Sequence, residues 1–103
     1  MGSGSTTYPS PNQLVTPTVS NASIAVAAIN LQRAGLYVFN PSGTVTLYVT
    51  PLGTPAVVGA GTAIQPLQGV MFGTPNMPPW TNGMNSIASA PGANGIVILE
   101  FTQ

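Results

Sequence analysis

The chain is 103 residues long, which is the length of one domain, and only Arg33 and Glu100 carry a charge. Ordinary domains contain about 25% charged residues, whereas this chain contains 2% and has neither His nor Cys. One arginine cannot displace the counterions of a nucleic acid or hold the chain on an anionic lipid surface. We therefore expect neither nucleic acid nor membrane as a partner.

The first 21 residues differ in composition from the rest because they are rich in Ser, Thr, Pro and Asn. Three prolines within nine residues prevent a helix and favour extended chain. The segment is either a flexible tail or an arm that docks on a neighbouring subunit through Tyr8, Leu14 and Val15. We therefore divide the chain into an extended or flexible N-terminal arm, residues 1–21, and a domain, residues 22–103.

From Ser23 onward the apolar residues follow a period of two, which is typical of β-strands. Gly and Pro separate the periodic runs and indicate turns. No helical period extends over ten residues. The expected strands are 24–29, 35–39, 44–50, 63–65, 69–72, 85–90 and 96–101.

Two of these strands alternate clearly, and the first of them has one face directed to the core. In 44–50 the apolar residues alternate with Thr and Tyr, and in the last strand Ile96, Ile98 and Glu100 share one face. The segment 91–95 ends in Asn-Gly and predicts a hairpin turn. About six to eight short strands with frequent turns predict an all-β fold, either an antiparallel β-sandwich or a jelly-roll-like small barrel.

The sequence lacks the residue types on which catalysis usually depends. The chain has no His, Cys, Lys or Asp, so its Ser and Thr hydroxyls have no base to activate them. A single carboxylate cannot assemble a metal site. We therefore expect no enzyme activity, no metal and no cofactor.

Four other side chains are candidates for a specific role. Arg33 and Glu100 are interpreted as a structural ion pair across the sheet, with a contact to a neighbouring subunit as the alternative. Trp80 follows two prolines on a loop and either folds back over the open end of the sandwich or contacts a partner or a glycan. Tyr48 on the Thr/Tyr face is the second candidate for such a contact.

The stretch from Arg33 to Phe101 contains a series of short motifs. An Arg begins an apolar strand that ends in an Asn-Pro-Ser turn, a Trp-Thr-Asn-Gly segment precedes another strand, and Gly-Ile-Val-Ile-Leu-Glu-Phe ends the stretch. With these features the chain resembles small bacteriophage virion β-sandwich proteins of the head-decoration, head-fibre or vertex spike-base type. One departure is the turn into the fifth strand, where the family usually has Pro before Gly and this chain has Pro66-Leu67-Gln68-Gly69.

The resemblance implies a structural virion protein on the capsid surface, assembled in the host cytoplasm. Its expected partners are the major capsid protein or other virion subunits and further copies of itself, in a trimer or pentamer. The small number of charged residues independently favours a permanent assembly, because isolated domains use surface charge to stay apart. The alternative is a carbohydrate-binding module or a tail-associated attachment protein that uses Trp80 and Tyr48.

Overall fold

The structure is a computed structural model that describes residues 11–73 and 79–102, and in these residues it contains eight strands and no helix. Two antiparallel four-stranded sheets pack face to face, in the orders β1-β8-β3-β6 and β2-β7-β4-β5. The prediction of an all-β sandwich is confirmed. The strands are β1 Asn12–Gln13, β2 Ile24–Ala27, β3 Arg33–Phe39, β4 Leu47–Pro51, β5 Thr62–Ile64, β6 Gly69–Phe72, β7 Met84–Ala88 and β8 Val97–Thr102.

The strands pair from the outside of the sequence inward. The first strand pairs with the last, and β2 pairs with β7, β3 with β6 and β4 with β5. This nested pairing is that of one long antiparallel ribbon wrapped into two sheets, which is the strand order of a jelly roll. Only the β4–β5 connection stays within one sheet, and the other connections cross between the sheets.

The predicted hairpin turn at 91–95 is wrong. Because β7 belongs to one sheet and β8 to the other, the chain between them crosses the sandwich instead of turning back on itself. The positive φ lies at Gly92, at 105°, and not at Asn94. The Asn94 side chain instead donates to the carbonyl oxygens of Val19 and Ala90, at 2.9 and 3.0 Å.

The core lies between the two sheets and consists of alternate residues of the central strands. Leu47 and Val49 of β4 are buried, and so are Ile96 just before β8 and Ile98 within it. The predicted inward face of β4 is therefore confirmed, and the alternation in β8 places Ile98 in the core. Each fully buried aliphatic side chain contributes roughly 1.5–3 kcal/mol through removal of its surface from water.

The described part of the predicted arm, residues 11–21, is built into the sandwich. The Leu14 N–H donates to Ile98 O at 2.9 Å, and Val19 is fully buried and bridges Asn94 by two backbone hydrogen bonds of 2.8 and 3.0 Å. Residues 11–21 therefore contact the domain of residues 22–103. The sequence gives no sign of these contacts, because a single buried Val among polar residues leaves no periodic signal. Tyr8 lies outside the described residues.

Candidate functional site

The sandwich has two ends, each marked by a buried polar residue of the β3 segment. We call them the Arg33 end, where β3 begins, and the Asn40 end, where β3 has just finished. Arg33 is 2% exposed and Asn40 is fully buried. Each of these residues connects the two sheets.

At the Arg33 end the two predicted partners are in contact. The Nη2 and Nε atoms of Arg33 lie 2.7 and 2.9 Å from Oε2 of Glu100, on the neighbouring strand β8. Their side chains are 2% and 11% exposed, respectively. The inward face that Ile96 and Ile98 establish in β8 continues to Glu100, which explains why its carboxylate lies below the surface.

The remaining donors of Arg33 reach the other sheet. Nη1 donates to the carbonyl oxygen of Asn82 at 2.8 Å, just before β7, and Nη2 donates to that of Ala28 at 2.9 Å, just after β2. A rigid guanidinium can make several such bonds in one plane. Arg33 therefore joins β3 and β8 to the segments that follow β2 and precede β7 in the opposite sheet. No local sequence pattern indicates these contacts.

Asn30 completes this cluster on the turn between β2 and β3. Its Nδ2 donates to Oε2 of Glu100 at 3.0 Å, and its Oδ1 accepts from the Gln32 N–H at 3.0 Å. Burial by itself raises the pKa of the Glu100 carboxyl, but hydrogen bonds from Asn30 and Arg33 and the charge of Arg33 outweigh it, so this pKa is lowered. Glu100 is thus an ionised hydrogen-bond acceptor at neutral pH and not a proton donor.

Trp80 also lies at the Arg33 end. Its backbone N–H donates to Ala34 O at 3.2 Å, and its ring packs against the core with its centroid 5.2 Å from that of Phe72. Beside it is a cavity of 160 Å³, and no charged side chain lines it. The lining residues are Val49, Thr50, Pro51, Thr62, Phe72, Trp80 and Met84.

The other predicted contact residues are not brought together. Tyr48 lies between Ala63 and Ile87 on β4, where the buried neighbours Leu47 and Val49 point it away from the core. Trp80 packs against the core, so the two aromatic rings do not form one platform. In the arm, Leu14 packs against the core, whereas Val15 is fully exposed.

The sequence predicts only a turn at Asn40, at the opposite end of the sandwich, but the structure shows a larger role. Its Nδ2 donates to Val45 O at 2.7 Å and to Ile64 O at 3.0 Å, while its Oδ1 accepts from Ser42 N at 3.0 Å. These bonds tie the end of β3 to the opposite sheet. The signal available in the sequence was the Asn-Pro-Ser-Gly turn, which indicates a local bond to Ser42 and not the two long-range ones.

Turn Pro66–Gly69 contains a left-handed backbone conformation. Leu67 adopts a positive φ of 59°, a conformation that costs a residue with a side chain more than it costs glycine. Its N–H donates to the carbonyl oxygens of Asn40 and Ser42, at 3.0 and 3.1 Å. Strand β6 nevertheless begins at Gly69 as predicted.

The described residues contain no group of three metal-ligating side chains and no helix that could cross a membrane. Comparison with protein-family models, with curated proteins and with solved structures finds no match. The arrangement at the Arg33 end can hold the two sheets together and form uncharged contacts. Because its only two charges neutralise each other, the chain presents no unpaired ionised side chain.

Proposed function

We propose that the chain is a structural subunit of a bacteriophage particle. It would be a capsid-surface decoration or a spike- or fibre-base protein that docks on the capsid and self-associates. The observation that carries this proposal is the internal ion pair between Arg33 and Glu100. This pair contains both charged side chains of the chain, so the surface can make only apolar and hydrogen-bonded contacts.

Such a surface suits a permanent protein interface. Charged groups that enter an interface must lose their water, and this desolvation often cancels what they gain. A surface without them avoids that cost, but it also lacks the repulsion that keeps free domains apart. A chain with these properties is suited to a place among other subunits.

Two further observations support the proposal at the level of analogy. The jelly roll recurs in viral capsid proteins, although it also occurs in lectins, so the fold alone does not decide the function. The phage context comes from the resemblance of residues 33–101 to small virion proteins. A glycan-binding role is not favoured, because the Trp80 ring packs at a tilt of 53° against Phe72 and the core, whereas Tyr48 points away from the core.

Mass spectrometry of phage particles tests the proposal. Particles are purified by density gradient from the biological source of the sequence. We expect this chain to sediment with the major capsid protein at a constant ratio through the particle peak. Recovery of the chain only in the soluble fraction, with particles free of it, would refute a role in the particle.

A further inference from the structure

The turn between β2 and β3 presents two aliphatic side chains to solvent. Ile29 is 59% exposed and Leu31 is 77% exposed, although both are large and apolar. Asn30 between them turns inward to Glu100. The two aliphatic side chains therefore project from the Arg33 end of the sandwich.

This turn is held in one conformation. The Asn30 backbone donates to Thr81 O at 2.9 Å and accepts from Arg33 N at 3.1 Å, and its side chain bonds both Glu100 and Gln32. A turn whose backbone is already held in place loses little entropy when it binds, so an apolar side chain carried on such a turn is a favourable anchor. Leu31 at the tip of the turn is such an anchor.

The same end of the sandwich contains the cavity beside Trp80. Residues at the ends of β4 and β6 and at the beginnings of β5 and β7 line this cavity, and its volume is 160 Å³. A cavity of about 150 Å³ lined by apolar side chains accommodates a benzene molecule, which has more heavy atoms than a leucine side chain. The cavity is thus large enough for one aliphatic side chain.

We propose that Leu31 of one copy inserts into the cavity beside Trp80 of a second copy. Ile29 then packs on the rim, and each copy both gives and receives a leucine. The proposal deepens the self-association part of the proposed function and rests on it. Neither surface carries a charge, so the contact requires no desolvation of ions.

Light scattering of the full chain over a range of concentrations tests the proposal. We expect the wild-type chain to be oligomeric, and we expect Leu31→Asn to shift it to the monomer. Thr62→Phe fills the cavity from its exposed rim and should have the same effect. The matched control is Leu67→Asn, which removes a leucine that is 64% exposed at the Asn40 end and should leave the mass unchanged.

Mixing the two association-deficient variants gives a sharper result. The Leu31→Asn chain keeps its cavity and the Thr62→Phe chain keeps its leucine, so a 1:1 mixture should form a heterodimer that neither variant forms alone. Circular dichroism of each variant verifies that it is folded. A monomeric wild-type chain, or a Leu31→Asn chain with wild-type mass, would overturn the proposal.

The outcomes also separate this inference from the proposed function. If the chain is present in particles but is monomeric when purified, the second-copy contact is refuted and the virion role stands. If the chain self-associates through Leu31 but is absent from particles, the contact stands and the virion role fails.

Discussion

Arg33 and Glu100 illustrate how a buried ion pair acts on a fold. The free energy gained by bringing two opposite charges together in the interior is largely offset by the loss of their water. Their main effect is geometric, because Arg33 also donates to the carbonyl oxygens of Asn82 and Ala28, which flank strands β7 and β2 of the other sheet. Removal of one partner leaves the other charge buried without compensation.

Substitution of either partner should therefore destabilise the chain strongly, and the two losses should not add. We expect Arg33→Met and Glu100→Gln each to lower the free energy of unfolding by roughly 3–5 kcal/mol. The double variant should lose clearly less than the sum, since it leaves no uncompensated charge. Urea denaturation of the four proteins measures this coupling, and strictly additive losses would show that the pair does not act as a unit.

The lowered pKa of Glu100 makes stability depend on pH in one direction. The carboxyl binds its proton more weakly in the folded chain than in the unfolded chain, so acid favours unfolding. The contribution of the pair is complete above the unfolded pKa of about 4.3 and is lost as the pH falls through the lower folded value. Urea titrations between about pH 2 and pH 7 should show constant stability at the upper end and a decline at the lower end.

The control for this titration is unusually clean because Glu100 is the only acidic side chain of the sequence. In Glu100→Gln only the terminal carboxyl titrates in this range, and its profile should be nearly flat. A decline of equal size in the variant would mean that Glu100 is not the group responsible.

At the scale of elements, the arm and β3 show what holds the sandwich together. The β3 segment ends in Arg33 on one side and Asn40 on the other, and each bonds residues of the opposite sheet. The arm contributes its own strand β1 and the fully buried Val19. Loss of the arm would thus expose core residues as well as an edge of β8.

Two valines of the arm provide a matched comparison. Val19→Ala removes two methyl groups from a fully buried site and should lower the free energy of unfolding by about 1–3 kcal/mol. Val15→Ala makes the same chemical change at a fully exposed site and should stay within about 0.5 kcal/mol of the wild type. Equal effects in thermal denaturation would mean that the arm does not pack on the domain.

The elements also show what local sequence can and cannot predict. The period of two predicts the inward face of β4, and the scarcity of charge indicates the ion pair between Arg33 and Glu100. The hairpin at 91–95 was wrong because Asn94 bonds Val19, which is 75 residues away in sequence. The long-range bonds of Asn30 and Asn40 and the existence of the cavity cannot be predicted locally for the same reason. The residues that bond these asparagines, and those that line the cavity, come from distant parts of the sequence.

At the scale of the whole molecule, the absence of unpaired surface charge determines the response to salt. Screening weakens interactions between exposed charges over distances that shrink from about 30 Å at 0.01 M to about 10 Å at 0.1 M salt. This chain has one ion pair, and it is buried, so there is little for salt to screen.

We therefore expect the free energy of unfolding to change by less than about 0.5 kcal/mol between low and moderate sodium chloride concentrations. Urea denaturation at each concentration measures it. Sodium sulfate serves as the positive control, because it strengthens apolar burial and should raise stability. A fall of more than about 1 kcal/mol in sodium chloride would reveal electrostatic interactions beyond the pair.

The nested strand order also governs when the fold can close during synthesis. Asn12 pairs with Glu100, and Ile24 pairs with Ser86, so the outer partners of the first strands are made last. Loops of this length close slowly, and chains with such distant pairings fold late. Until β8 leaves the ribosome, Arg33 has no counter-ion and β3 lacks one neighbour, so we expect the nascent chain to expose apolar surface until β8 has been made.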